Sequence, residues 1–307
     1  MKFNFFTSAK INLGLTVIGK LPDGYHEIES ILVPVSIFDK VSIEFFLDRF
    51  YKEIGVNSDN YIQIPRDERN IIWKIVKYVE DYLRMSIGFH AYIEKNIPVG
   101  SGLGGGSGNG AGVFLSLLKF LKDNQVIDTF LEEELVKNVY KVGSDIPFFL
   151  SRGACIVQGR GEKVFYIEGL FEKLMNYKVL IVYPQIVVST REAYTLISQR
   201  RLYDPNKWAF DFSKKFLSSE IDLSDFKKML KNTFECVILS EVIDEIKRYL
   251  YFEGAMISLV SGSGSAVYGI FEDVDLSKIK VGLVKNFGIN DKFIFETSFV
   301  KEPVVFF

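Results

Sequence analysis

The feature that most limits how this chain can fold is a glycine-rich segment, IPVGSGLGGGSGNGAG, in which half of the residues from Ile97 to Gly112 are glycine. Glycine tolerates positive φ and lets backbone N–H groups crowd around an anion. An apolar run that is typical of a helix follows at Val113, and the positive end of that helix would face the same point. The segment therefore predicts a phosphate-binding loop. A flexible linker fits poorly, because a proline-marked strand end and an amphipathic helix flank the glycines closely.

Two other kinds of glycine loop match this segment less well. A P-loop ends in Gly-Lys-Ser or Gly-Lys-Thr, whereas Gly106 is followed here by Ser-Gly. The spacing of Gly100, Gly102 and Gly105 does satisfy G-x-G-x-x-G. A dinucleotide-binding loop, however, needs an acidic residue on the next strand about 20 residues later. Asp123, the acid at that distance, lies where a helix is expected to end, so the pattern does not indicate a dinucleotide site.

Composition limits the cellular setting and the partners. The 307 residues are enough for two domains, and the formal net charge of −2 provides no basic field for nucleic acid or an anionic membrane. No uncharged apolar run approaches the roughly 18 residues that a bilayer-spanning helix needs. Lys10 interrupts the first apolar stretch, so we expect no export signal and a cytoplasmic protein. Cys155 and Cys236 form no CxxC motif and are predicted to be buried and reduced.

The first half of the chain has the rhythm of a sheet that precedes the glycine segment. Residues Phe3 to Glu44 alternate like strands around Leu21-Pro22-Asp23-Gly24, which has the residues of a β-turn. The apolar spacing predicts a helix from Asn70 to Leu83 and a strand from His90 to Glu94. A second helix, Val113 to Leu121, is predicted to follow the glycine segment. The loop therefore lies at a strand-to-helix junction.

The chain after the glycine segment and its helix mixes helices with short strands. A helix is predicted from Leu131 to Val142, followed by a helical turn with Ser144 as N-cap and Asp145 in its first turn. Ala154 to Ile167 is predicted to form a hairpin. The other expected elements are strands at Lys178–Tyr183 and Phe295–Val300, helices between Asp225 and Leu250, and a strand-turn-strand unit from Ser258 to Phe271. This change of rhythm indicates a domain boundary near residue 165.

Four separated motifs occur in one order along the chain. They are Ala9-Lys10-Ile11-Asn12-Leu13, Asp23-Gly24-Tyr25-His26-Glu27, Gly104-Gly105-Gly106-Ser107 and Ser144-Asp145-Ile146-Pro147-Phe148-Phe149. With a later Ser-Gly-Ser-Gly turn, this set resembles the GHMP kinase superfamily from Ala9 to about Phe271. The resemblance implies an α+β fold with an active site in the cleft between two domains. Residues 1–165 would form an S5-like β/α domain that holds the ATP phosphate loop, and residues 166–307 a ferredoxin-like α/β domain.

The resemblance also implies a reaction. Within the superfamily, the motifs are most similar to those of the members that phosphorylate the 2-hydroxyl of 4-diphosphocytidyl-2-C-methyl-D-erythritol in the non-mevalonate isoprenoid pathway. ATP with Mg²⁺ would then be the co-substrate, no protein ligand is assigned to a metal, and the protein is expected to be a monomer or a weak homodimer. Two alternatives stay open: another GHMP kinase that acts on a mevalonate derivative, homoserine or a sugar, and a catalytically silent nucleotide-binding member.

Residue roles follow from the matched motifs. Asp145 would act as the base for the attacking hydroxyl, and Lys10 would stabilise the emerging alkoxide. Asn12 would bind a phosphate oxygen or the substrate diphosphate. His26 would bond the cytosine edge, while Tyr25 and Tyr194 flank the ring. The residues expected to bind ATP are Pro98, Gly100, Gly102, Leu103, Gly104, Gly105, Gly106, Ser107, Gly108 and Asn109.

The chain departs from the family pattern at four positions. Ser8 stands where proline is usual, Gly110 replaces an alanine, and Thr233 interrupts an Asn-Asp-x-Glu pattern. Gly108 replaces a second serine in the phosphate loop. This last change is expected to matter most, because the missing hydroxyl removes one contact to phosphate or Mg²⁺.

Overall fold

The computed structural model describes residues 1–48, 51–58 and 63–307. Strands β1 to β11 of this part of the chain span Lys2–Lys20, His26–Phe46, Lys52–Ser58, Gly88–Lys95, Cys155–Gly159, Lys163–Tyr166, Lys178–Val182, Ile257–Val260, Val267–Phe271, Ile294–Ser298 and Val304–Phe306. Helices α1 to α9 span Ile71–Leu83, Gly105–Asp123, Thr129–Asn138, Ile146–Phe149, Leu170–Leu174, Thr190–Arg200, Ala209–Leu217, Glu241–Phe252 and Leu276–Phe287. Short 3₁₀ turns occupy Val139–Lys141, Leu223–Lys228, Thr233–Cys236 and Asp291–Phe293.

The two longest strands, β1 and β2, form the hairpin that the sequence predicts. At its turn, the Leu21 N–H donates to the Tyr25 carbonyl (2.7 Å) and the Gly24 N–H to the Leu21 carbonyl (3.0 Å). Gly24 has a φ of 89°, which explains why glycine ends the turn. The β1–β2 register shifts between Ser8 and Ala9 and again after Asn12, and such bulges bend a strand. The first motif, residues 9–13, therefore lies on a bent strand.

The larger sheet has the order β11-β1-β2-β4-β3, with β5 also paired to β2 and β6 to β5. Its pairs are antiparallel, except that β3 runs parallel to β4. Helices α1 and α2 pack together, and α2 also packs on β1. The resulting core buries large aromatic side chains, namely Phe5, Phe45, Phe89 and Phe114. Helix α1 begins where predicted, because the Asn70 side chain caps it by accepting from the Ile72 N–H (2.9 Å).

Helix α2 begins within the glycine segment, eight residues before the predicted start at Val113. Low helix propensity, about 1 kcal/mol per glycine relative to alanine, led to the prediction of a loop there. The glycines instead allow the helix to approach the sheet closely. A Cβ on Gly112 would lie 2.2 Å from the Phe5 ring, and one on Gly110 would lie 2.8 Å from Ile71. Tertiary packing thus overrides propensity in the first two turns of α2.

The second sheet is antiparallel, with the order β10-β7-β9-β8. Strand order and the crossover helices α8 and α9 give it a ferredoxin-like arrangement, as the resemblance implies. Its core includes the fully buried rings of Tyr268 and Phe271. The protein therefore has the two-sheet α+β architecture expected of this fold. Among the described helices, none has the length and apolar character required to cross a bilayer.

The last strand returns to the first sheet. In β11, Phe306 pairs with Phe5 and Val304 pairs with Thr7 on β1. The division near residue 165 stays a prediction, and β11 lies outside the sheet that follows it. The cysteine prediction is half right: Cys155 is buried, whereas Cys236, at the end of a 3₁₀ turn, is exposed.

Candidate active site

The glycine segment and the Ser-Gly-Ser-Gly turn meet to form one backbone-lined floor. Ser261, the first residue of that turn, donates its hydroxyl to the Gly102 carbonyl (3.1 Å). The Ala266 N–H donates to the Ser101 carbonyl (2.9 Å). A Cβ on Gly102 would lie only 2.1 Å from the Ser261 carbonyl oxygen, so glycine is required for this contact. The two sheets therefore share a single site.

Lys10 and Asp145 face each other beside this floor. The Lys10 Nζ lies 3.5 Å from Oδ2 of Asp145, and the two side chains are 4% and 36% exposed respectively. Asp145 occupies the N-cap position of α4, which corrects the prediction that Ser144 does so. Its side chain makes no capping hydrogen bond to the helix. The carboxylate is therefore directed to the ammonium group of Lys10 rather than to the helix end.

Asn12 holds the lysine in place. Its Oδ1 accepts from the Lys10 Nζ (2.7 Å), and its Nδ2 donates to the Ser30 hydroxyl (2.8 Å). The Ser30 hydroxyl in turn donates to the Gly14 carbonyl (2.6 Å), and the Tyr268 hydroxyl donates to the Asn12 carbonyl (2.7 Å). Both polar ends of the Asn12 amide thus contact the protein. The geometry supports a role in orienting Lys10, and the expected contact of Asn12 with a phosphate oxygen or the substrate diphosphate stays a prediction.

A cavity of about 310 Å³ opens along the glycine segment. The residues predicted to bind ATP that line it are Pro98, Gly100, Gly102, Leu103, Gly104, Gly105, Gly106, Ser107 and Asn109. The opposite wall was not predicted and consists of Ile64, Pro65, Arg69, Asn70 and Ile71. Asn70 carried a signal, because it stands at the start of a predicted helix. That signal is equally typical of any N-cap.

Gly108 does not line this cavity. A Cβ there would lie 3.2 Å from the Phe149 ring and 3.3 Å from Thr7 Cβ, on the side of α2 that faces the core. The Asn109 side chain also contacts Thr7, whose hydroxyl donates to Oδ1 (2.8 Å). Since Gly108 packs against the core, the expectation that its missing hydroxyl affects phosphate or Mg²⁺ binding has no support in the geometry.

Positive potential at the glycine segment comes from the N-terminus of α2, whereas the charge of the nearby Lys95 is balanced by an ion pair. Gly104, with a φ of 75°, precedes α2, so the N-terminal N–H groups of a 19-residue helix open onto the cavity. Lys95 is buried beneath and pairs with Asp39 (2.5 Å), and its Nζ also donates to the Ile97 carbonyl (2.8 Å). A Cβ on Gly105 would lie 2.6 Å from this Nζ. Glycine here makes room for the buried lysine.

A second cavity, of about 280 Å³, contains Lys10, Asn12 and Asp145. It shares three lining residues with the first cavity, namely Gly102, Gly104 and Ser107. Gly262 of the Ser-Gly-Ser-Gly turn closes its far side, where a Cβ would lie 3.2 Å from the Lys10 Nζ. The lysine and the carboxylate therefore lie next to the phosphate-loop cavity.

A third cavity, of about 660 Å³, contains Tyr25, His26 and Tyr194. The His26 and Tyr194 rings stack, with centroids 4.6 Å apart and planes at 16°. The His26 Nε2 lies 2.7 Å from the Ser198 hydroxyl. Tyr25 is 59% exposed at the rim. The structure thus brings the three predicted residues together. One face of the His26 ring packs on Tyr194 and is not open to the cavity.

Burial sets the protonation of this aromatic group. Burial, with a smaller effect of Lys20, lowers the pKa of His26 from its ordinary value of 6.5. Burial, and secondly the nearby Asp145 carboxylate, raises the pKa of Tyr194. At neutral pH both side chains are uncharged, which suits hydrogen bonding to a neutral pyrimidine.

The second and third cavities are contiguous. Both are lined by Ser144, Arg160 and Tyr194. Arg160 and Arg191, which also lines the third cavity, were not predicted from the sequence. Each is a single arginine outside any of the four motifs, so no sequence signal distinguished it. The three cavities form one row, from the glycine segment through Lys10 and Asp145 to the aromatic group.

Comparison with protein families gives two matches. The model of the GHMP kinases N terminal domain matches residues 70–153, and that of the GHMP kinases C terminal domain matches residues 214–290. A 4-diphosphocytidyl-2-C-methyl-D-erythritol kinase of Clostridioides difficile is 35% identical over 86% of this chain and 85% of its own length. One from a Sulfurihydrogenibium species is 34% identical, covering 86% of this chain and 90% of its own.

Solved structures agree on the fold. A crystal structure of 4-(cytidine 5'-diphospho)-2C-methyl-D-erythritol kinase superposes with a TM-score of 0.69 at 22% identity, covering 96% of this chain and 98% of the other. A homoserine kinase from Cytophaga hutchinsonii also reaches 0.69, at 17% identity, covering 100% of this chain and 97% of its own. Equal scores for kinases of different substrates mean that the fold alone does not identify the substrate.

Proposed function

Since this chain belongs to the GHMP kinase family, we infer that it is an ATP-dependent kinase that phosphorylates 4-diphosphocytidyl-2-C-methyl-D-erythritol for isoprenoid synthesis. Relatives of that name match along nearly the whole chain at 32–35% identity. The observation that carries the proposal is the row of three cavities, which offers a phosphate loop, a lysine–carboxylate pair and an aromatic pocket in sequence. The acceptor is the 2-hydroxyl of the methylerythritol.

The middle cavity supports a direct transfer of the γ-phosphoryl group. The acceptor oxygen attacks the γ-phosphorus, the bond to the β–γ bridging oxygen breaks, and ADP leaves. The transition state of such transfers is loose, so catalysis is mostly positioning and charge stabilisation. The Asp145 carboxylate takes the hydroxyl proton as the oxygen loses electron density. The Lys10 ammonium, fixed by Asn12, stabilises the negative charge that develops on that oxygen.

The phosphate loop supplies backbone donors for ATP. The N–H groups at the start of α2 point toward the cavity that Ser107 lines. We place the nucleotide between this loop and the wall that Asn70 and Ile71 form. Mg²⁺ would accompany ATP and be held by phosphate oxygens and water.

The third cavity is the proposed cytidine site. Tyr25 offers a ring face for the base, Tyr194 supports the His26 ring by stacking on it, and neutral His26 offers a hydrogen-bonding edge. We propose a monomer or a weak homodimer as the active form.

A coupled assay of ADP release tests the proposal. We expect turnover with 4-diphosphocytidyl-2-C-methyl-D-erythritol and none with 2-C-methyl-D-erythritol 4-phosphate, homoserine or mevalonate. Turnover with one of the other acceptors alone would assign the protein to a different branch of the family. ATP binding without turnover on any acceptor would indicate a silent nucleotide-binding member.

A further inference from the structure

Arg160 lies where the aromatic cavity meets the catalytic one. It occupies the turn between β5 and β6, flanked by Gly159 and Gly161. Lys20, Arg160 and Arg191 are the cationic residues that line the third cavity, and of these Arg160 also lines the cavity of Lys10 and Asp145. A charged group that bridges the two cavities therefore has Arg160 beside it.

The Arg160 side chain is engaged with the β1–β2 turn. Its guanidinium carbon lies 4.4 Å from the centroid of the Tyr25 ring. It also forms an ion pair with Asp23, two residues earlier in that turn. The side chains of Arg160 and Asp23 are 29% and 41% exposed, respectively. A planar group thus covers one face of the tyrosine that is proposed to stack on cytosine.

The chemistry of the substrate places its diphosphate at this junction. This step rests on the proposed function, in which cytosine occupies the third cavity and the reacting hydroxyl the second. The diphosphate connects the two, so it must pass the lining that both cavities share. We propose that Arg160 is the diphosphate-binding, specificity-determining residue of the site. In the free protein the Arg160 guanidinium packs on the Tyr25 ring and pairs with Asp23. When the substrate binds, the guanidinium leaves both partners and pairs with the two phosphates.

The exchange is favourable on physical grounds. An ion pair with both partners partly exposed contributes little to stability, because water screens the charges. Arginine binds phosphate through a planar fork of N–H donors, and such charge-assisted bonds are among the strongest in proteins. The cytosine ring then takes the Tyr25 face that the guanidinium leaves. One side chain therefore couples recognition of the base with recognition of the diphosphate.

Isothermal titration of the full-length protein with cytidine, CMP and CDP tests this proposal. For Arg160→Gln we expect the affinity for CDP to fall by about 10- to 100-fold, the range for a lost hydrogen bond to a charged group. The affinity for cytidine should stay the same or rise, because the Tyr25 face is released. Asp23→Asn should bind CDP at least as tightly as the wild type. Arg248→Gln, at an exposed position on α8, is the matched control.

Each outcome decides a different point. Equal losses for cytidine and CDP in Arg160→Gln would mean that the arginine only orders Tyr25, and the proposal would be overturned. Unchanged CDP affinity would overturn it as well, as would a loss in Asp23→Asn as large as that in Arg160→Gln. A wild-type protein that binds none of the three ligands would contradict the proposed function, and this inference with it.

Discussion

Replacing Gly102 with alanine tests whether the glycine segment and the Ser-Gly-Ser-Gly turn act as one catalytic floor. A Cβ at this position would lie 2.1 Å from the Ser261 carbonyl oxygen and 3.1 Å from backbone atoms of Gly264. Because these are backbone atoms, the loop and the turn must separate by about 1 Å to restore ordinary contact. Gly102 also has a φ of 83°, a conformation that costs an L-residue about 1–2 kcal/mol.

The two effects have different expected readouts. A misplacement of about 1 Å in a positioning element can lower the rate by roughly 10²-fold, so kcat in the ADP-release assay should fall by that order. The free energy of unfolding, from urea titration, should fall by more than the strain of about 1–2 kcal/mol alone. Gly288→Ala measures that strain by itself, since Gly288 has a φ of 64° and a Cβ there would meet nothing within 4 Å. Normal turnover in Gly102→Ala, or destabilisation no greater than that of Gly288→Ala, would refute the reasoning.

Three further outcomes are expected. Asp145→Asn and Lys10→Met should each lower kcat by about 10²- to 10⁴-fold while circular dichroism and thermal unfolding stay near wild type, and near-normal turnover would remove either residue from the mechanism. His26→Ala should raise KM for the cytidyl substrate by about tenfold with KM for ATP unchanged, whereas equal changes in both would argue against a cytosine contact. Because the folded-state pKa of His26 lies below 6.5, the unfolded chain binds a proton more readily, and the free energy of unfolding should fall as pH drops through that value. Urea titrations of wild type and His26→Gln on both sides of that pH should show a smaller fall in the variant, and identical profiles would contradict the assignment.

Much of the fold follows from local patterns. The β1–β2 hairpin and α1 could be predicted because alternation, the turn residues and the Asn70 cap act over a few residues. The start of α2 could not, since what makes glycine acceptable in that helix is the Phe5 ring of a strand about a hundred residues earlier in the chain. Likewise, β11 is three residues long and has no pattern of its own, and its place is set by pairing with β1.

The site divides in the same way. Lys10, Asp145, Tyr25 and His26 could be proposed as site residues because each belongs to a motif of several residues, and the structure places them along the same row of cavities. The hydrogen bond from Asn12 to Ser30, which helps to fix the amide beside Lys10, could not be predicted because only folding brings those two side chains together. Arg160 had no motif, and its significance arises from lying between two cavities.

The pairing of β11 with β1 has a consequence for how the protein matures during synthesis. The outer edge of β1 around Phe5 is covered by residues 304–306, which the ribosome makes about three hundred residues later. Until then, the nascent first sheet exposes strand edge and aromatic side chains, which are templates for pairing with other chains. Contacts between residues so distant in the sequence also form slowly. Removal of β11 should therefore lower the yield of dispersed protein from cells more than it lowers the activity of the molecules that do fold.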